Sequence, residues 1–226
     1  MHGHQVLAGV RLAISRPSDT APDCGSVTIN VEVAAFSSAA LSLGRSSELV
    51  GVTYDRLQQV LLGGSAAGRT GCLPLQQLCI EKGKAAWALT LDVYILNIDG
   101  AVQDAALLAA VAALLNTQLP ATLVSPEGHV TRKGTQGTGA DGPEAMDTSD
   151  AAAQDARQVV LDTVPLSLTC ALYKGLALVD PDNEEEDALA SSLVTVVVDQ
   201  HRRLHGAHSR AWRGARSSHH VMGFAR

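Results

Sequence analysis

Aromatic side chains are scarce in this 226-residue chain, which has two Trp, three Tyr and two Phe, so a core has to be built mostly from Leu, Val and Ala. No apolar run reaches the roughly 18 to 20 residues that span a bilayer, and no membrane partner is expected. The opening MHGHQVLAG has no basic segment ahead of a long apolar stretch, so a signal peptide is not expected. Cys24, Cys72, Cys79 and Cys170 contain no CxxC pair and have no His at zinc-ligand spacing. They read as reduced thiols of an intracellular protein, with no metal, cofactor or disulfide framework. Positive charge is short as well. The net charge is −6, and six arginines sit in residues 201–226, which leaves residues 1–200 at −12. A body that acidic does not bind nucleic acid by charge alone.

Two alternating segments, 5–15 and 26–36, read as strands joined by the turn-rich RPSDTAPDCG. Residues 46–62 place Leu49, Val50, Tyr54, Leu57, Val60 and Leu61 at helical spacing, with Ser46 or Ser47 as cap and GGSAAGRTG (63–71) as a flexible loop. GGSAAGRTG lacks the Lys-Ser/Thr of a P-loop. A long strand is expected at 84–98, with Trp87, Leu89, Leu91, Val93 and Ile95 on one face. A helix at 101–117 follows; it is apolar almost all round and therefore reads as buried between layers or against a partner. A short strand at 121–125 leads to a turn at Pro126-Glu127-Gly128. Residues 132–157 hold almost no bulky apolar side chain and are expected to be a disordered insertion. Segments 166–174, 176–180 and 193–199 read as an antiparallel meander. The last 26 residues show no strand or helix period. A basic RNA-binding arm is one reading of them; a disordered tail or an incorrectly assigned C-terminal exon is preferred. The expected organisation is a first domain part at 1–131, the insertion at 132–157, C-terminal strands at 158–200 and a basic tail at 201–226. The class is α+β.

The motifs LCIEKGKAAW (78–87), LDVYILNIDG (91–100) and DAALLAAVAALLNTQLP (104–120) resemble the RNase PH-like subunits of the eukaryotic RNA exosome core. GVRLAISRPSDTAPDCGSVTINVEV (9–33) and VPLSLTCALYKGLALVDPDNEEEDALASSLVTVVVD (164–199) resemble further segments of that family, in the same order. Members begin with an additional segment and end in a strand and a long helix beyond the position of Asp199. The domain, similar to ribosomal protein S5 domain 2, is therefore expected to be incomplete at both ends.

The resemblance implies a fold that supports phosphorolysis in its active members, where phosphate attacks the last RNA phosphodiester. Those members carry an Arg in the loop leading into the long helix. Here the string is DGAVQDA, which puts uncharged Gln103 at that place and Asp104, which repels phosphate, beside it. Asp180 falls where active members keep an Asp, while the next strand's acid falls at Leu193. Gln103, Asp104, Asp180 and Leu193 are thus positions of a degenerate phosphate site, and no catalytic residue is assigned. Glu184, Glu185, Glu186 and Asp187 read as a solvated acidic loop rather than a Mg²⁺ cluster. No Ser/His/Asp constellation is visible. Arg45 is the candidate RNA contact, weighed against an ordinary exposed Arg, and Lys82 and Lys84 read as turn lysines. The implied function is a non-catalytic subunit of a hetero-hexameric ring of RNase PH-like subunits, capped by S1/KH proteins and threaded by RNA. It would serve rRNA processing, mRNA turnover and RNA surveillance in nucleus, nucleolus and cytoplasm. The alternative is an active phosphate-dependent 3′–5′ exoribonuclease.

Overall fold

The long strand expected from alternation is the axis of the fold. In the computed structural model, which describes residues 3–34, 43–63, 71–125, 130–132, 156–174, 176–182 and 192–211, β4 runs Ala85–Asn97. Strand β1 (Gln5–Ser15) pairs antiparallel along its whole length, from Gln5↔Asn97 to Ser15↔Ala86. Strand β2 (Ser26–Val33) lies parallel on the other side, from Ser26↔Ala88 to Val33↔Ile95. The short β3 (Cys79–Glu81), entered through a 3₁₀ turn at Leu75–Leu78, folds back on the start of β4. The hairpin turn needs Gly83, at φ +75°, and carries a Lys84–Glu81 ion pair at 2.5 Å. Trp87, Leu89, Leu91, Val93 and Ile95 all point from β4 into the core, as their period of two requires. On the opposite face Asp92 accepts Arg11 Nε at 2.6 Å and Asn30 Nδ2 at 2.8 Å, one polar ladder across all three strands.

Helix α1 spans Leu43–Leu61, so it starts three residues before the expected position. Ser46 and Ser47 lie within the helix rather than at its cap. Its buried side chains are Thr53, Leu57, Val60 and Leu61, whereas Tyr54, expected on the apolar face, is 38% exposed. The returning chain closes the helix end: Cys72 N–H donates to Val60 O (3.1 Å) and Leu73 N–H to Leu61 O (3.0 Å). Helix α2 (Val102–Leu115) sits between layers, as expected, packed on β1 and β4 on one side and on the second sheet on the other. Ala106 and Ala110 are fully buried and let the sheets approach; Leu108, at 57%, is the large side chain left exposed.

Two short pairs follow, β5 (Gln118–Leu119) with β8 (Arg157–Gln158) and β6 (Thr122–Val124) with β7 (Val130–Arg132). The expected insertion therefore has extended ends at Arg132 and Arg157; the disorder expected for 133–155 lies outside the described residues. So do the loop at 64–70, the turn at 126–128, the end of the second strand at 35–36 and the acidic run at 183–187.

The second sheet corrects two expectations. Strands β9 (Leu166–Tyr173), β10 (Leu176–Val179), β11 (Ser192–Val198) and β12 (Leu204–Ala211) are all antiparallel, in the order β10-β9-β11-β12. This is not a meander, because β11 crosses to the far side of β9 instead of pairing with β10. Nor are residues 201–226 aperiodic throughout: eight of them form β12 against the open edge of β11. The expectation of tail disorder beyond Ala211 lies outside the described residues. The sheet's inner face presents Ser167, Thr169, Ala171, Thr195 and Val197 to the helices, all buried. Its outer face is the more apolar one, with Leu166, Leu168, Cys170, Val194, Val196 and Val198; Leu166 and Leu168 are 55% and 48% exposed.

Candidate functional site

The turn between β4 and α2 is where the expected phosphate-site positions Gln103 and Asp104 fall. Gly100 has φ +91°, a conformation open to glycine. A Cβ there would overlap the Pro181 carbonyl oxygen, because the loop after β10 sits directly on the turn and buries Pro181. The α2 N-terminus is partly closed by its own backbone. Val102 N–H donates to Gly100 O at 2.6 Å and Asp104 N–H to Ala101 O at 3.0 Å. Ala101 stands at the cap and has no side-chain acceptor. A helix N-terminus attracts anions through unpaired N–H groups, and here two of them are already used.

The structure brings the four positions expected to form a degenerate phosphate site close to one another. Asp104 Oδ2 accepts the Thr169 N–H of β9 at 2.6 Å. Asp180, exposed and at φ +54°, donates its N–H to Thr169 O at 3.0 Å. Leu193 pairs with Ala171 on β9, one step along the inner face from the Thr169–Thr195 pair. Gln103 points between the layers and lines a small cavity with Thr53, Arg56, Leu57, Val60, Leu107, Ser167, Thr195 and Val197. Asp104 thus works as a latch from α2 to the second sheet. It places negative charge where phosphate binding needs positive. Arg45 lies in the first turn of α1, and its side chain is outside the described residues. Among the described residues no cluster of three or more His, Cys, Asp or Glu is placed to hold a metal ion.

Sequence reasoning missed one constellation. His205 of β12 has Nε2 3.2 Å from Thr163 Oγ1 and 3.8 Å from Asp199 Oδ2, and Nδ1 3.9 Å from Cys72 Sγ. It was invisible because His205 reads as part of an aperiodic tail and Cys72 lies 133 residues away. Cys72 is almost fully buried, and burial pushes its thiol up, away from the reactive thiolate. The group therefore pins β12 to the body rather than forming a nucleophilic centre. Burial alone would raise the Asp199 carboxyl, but the Arg203 and His201 N–H groups that it accepts, each at 2.8 Å, hold it below its ordinary value. A carboxyl lowered in the folded state contributes stability that is lost as pH falls through its folded value. Hydrogen-exchange protection of the His201 and Arg203 amides should therefore persist through the usual carboxylate range and disappear only at more acid pH.

Comparisons with known proteins agree with this architecture. The Rrp42 exosome component of Methanocella arvoryzae is 26% identical over 202 residues, covering 89% of this chain and 65% of that protein. The rrp43 exosome component of Schizosaccharomyces pombe is 27% identical over 198 residues, covering 88% and 64%. The chain thus spans slightly less than two thirds of the length of these relatives. A solved Archaeoglobus fulgidus exosome with RNA bound to the active site superposes with a TM-score of 0.64 at 24% identity, over 95% of this chain and 70% of that one, which supports the fold. The 3′ exoribonuclease family, domain 1 (RNase PH), matches residues 2–120, more than half of the sequence, and the chain belongs to that family.

Proposed function

We propose that this chain is a non-catalytic subunit of an exosome-type ring of RNase PH-like domains, supplying wall and interface for 3′–5′ RNA processing and degradation. The Asp104–Thr169 bond carries the reading. It commits the first turn of α2 to holding the second sheet, with an uncharged Gln103 beside it. Phosphorolysis needs cations and free donors at that turn. Three surfaces support a chain that works among neighbours: the apolar outer face of the second sheet, exposed Leu108 on α2, and the outer edge of β1, which pairs with no described residue. The partners in this reading are other RNase PH-like subunits in a hetero-hexamer, S1/KH caps and RNA in the channel. The processes are rRNA processing, mRNA turnover and RNA surveillance in nucleus, nucleolus and cytoplasm. Within the group, we read the motifs LCIEKGKAAW and LDVYILNIDG as similar to the ribosomal RNA-processing protein 43 type (exosome component 8).

The rival is an active phosphorolytic exoribonuclease, in which another cation replaces the missing Arg. Rebuilding the ring without hydrolytic subunits and supplying 3′-labelled RNA with inorganic phosphate separates the two. No nucleoside diphosphate should be released at this subunit, and Asp180→Ala should leave RNA decay unchanged. Release that disappears with Asp180→Ala, in a ring that stays intact, would establish the enzyme instead.

A further inference from the structure

The seam between α1 and the second sheet is polar on both sides, and its hydroxyls do not all find partners in the protein. On the sheet, Thr169 Oγ1 and Thr195 Oγ1 satisfy each other at 2.9 Å. Ser167, next along the same face, is 9% exposed, and its Oγ has no hydrogen-bond partner. On the facing helix Thr53 is 1% exposed, and its Oγ1 has none either. Both side chains line the same cavity, of about 20 Å³, with Arg56, Gln103, Thr195 and the apolar Leu57, Val60, Leu107 and Val197. Two buried hydroxyls left unmet would cost a large share of the marginal stability of a domain.

We infer that this cavity binds one ordered water, which bridges Thr53 Oγ1 and Ser167 Oγ. A water needs roughly 10–15 Å³ or more and two to four polar partners; apolar cavities stay dry. The volume is enough for one water molecule. The two hydroxyls supply two partners, and the Gln103 side chain, on the same lining, is within the set that can supply a third. The water belongs to the fold, because it lets a hydroxyl-rich sheet face pack on a helix without leaving buried polar atoms unmet. The site shares Gln103 and Thr195 with the corner around Thr169 but does not depend on the proposed function.

The sign of one substitution tests this. If the hydroxyls are bridged, Thr53→Val removes a satisfied hydrogen bond and leaves Ser167 and the water short, so the folding equilibrium should fall about fivefold or more. Thr53→Ser, which keeps the hydroxyl, should retain the water. If the cavity is dry, Thr53→Val removes an unmet polar atom at constant shape and should leave stability equal or raise it. Thr53→Val and Ser167→Ala should also be non-additive, the double variant losing less than the sum, because both act through one molecule. A crystal structure of the assembled protein at about 2 Å or better should show density at hydrogen-bond distance from both oxygens. A dry cavity, a stabilising Thr53→Val, or strict additivity would each overturn the inference.

Discussion

Gly100→Val should destabilise the fold by about 2–4 kcal/mol, combining backbone strain with overpacking. Two effects coincide at this position: φ is +91°, and the added side chain meets the Pro181 backbone. They can be separated. Gly83 also has a positive φ, +75°, but a Cβ there meets nothing within 4 Å, so Gly83→Ala reports strain alone, about 1 kcal/mol. Gly9 meets nothing within 4 Å and lies in β1, so Gly9→Ala should be neutral or slightly stabilising. Urea denaturation of the series should rank Gly100→Val worst, then Gly100→Ala, then Gly83→Ala. If Gly100→Ala and Gly83→Ala cost the same, the loop after β10 does not sit on the β4–α2 turn, and the description of that corner is wrong.

The elements that are legible in the sequence are those whose period survives tertiary packing. β1, β2, β4 and α2 were each placed within a few residues, because alternation or an all-apolar helix leaves few other solutions. β12 was missed for a physical reason. Leu204, Gly206, His208 and Arg210 make a weak alternating set, and what recruits the segment is the unpaired edge of β11, a tertiary cause with no local signature. The crossing of β11 to the far side of β9 is likewise invisible, since turn chemistry specifies a hairpin but not the edge that the next strand takes. At the candidate site, the resemblance points to Gln103 and Asp104. The partner of Asp104 needed the sheet in place, because Thr169 is 65 residues away. The positive φ of Asp180 suits a turn residue before Pro181.

Asp104 holds the second sheet at the position where the proposed loss of chemistry falls, and its variants should separate stability from activity. Asp104→Ala leaves the Thr169 N–H in a buried face with no acceptor, which should cost about 1–3 kcal/mol. Asp104→Asn keeps an acceptor oxygen in nearly the same place and should lose much less. A large loss with Asn would mean that charge, not the hydrogen bond, does the latching. Gln103→Arg with Asp104→Asn then asks whether restoring the family's charge pattern restores its reaction. A single well-placed donor to a developing charge is worth about 10²–10³ in rate, so a site lacking only that Arg should respond measurably. Here it should not. Gln103 faces the cavity between the layers, the Val102 and Asp104 N–H groups are already bonded, and Pro181 covers Gly100. Phosphate would find the added cation near Arg56 but without those backbone donors. The assembled ring carrying both substitutions should release no nucleoside diphosphate from 3′-labelled RNA in inorganic phosphate. Release above the unsubstituted ring would show that the corner keeps a working phosphate site and needed only the charge.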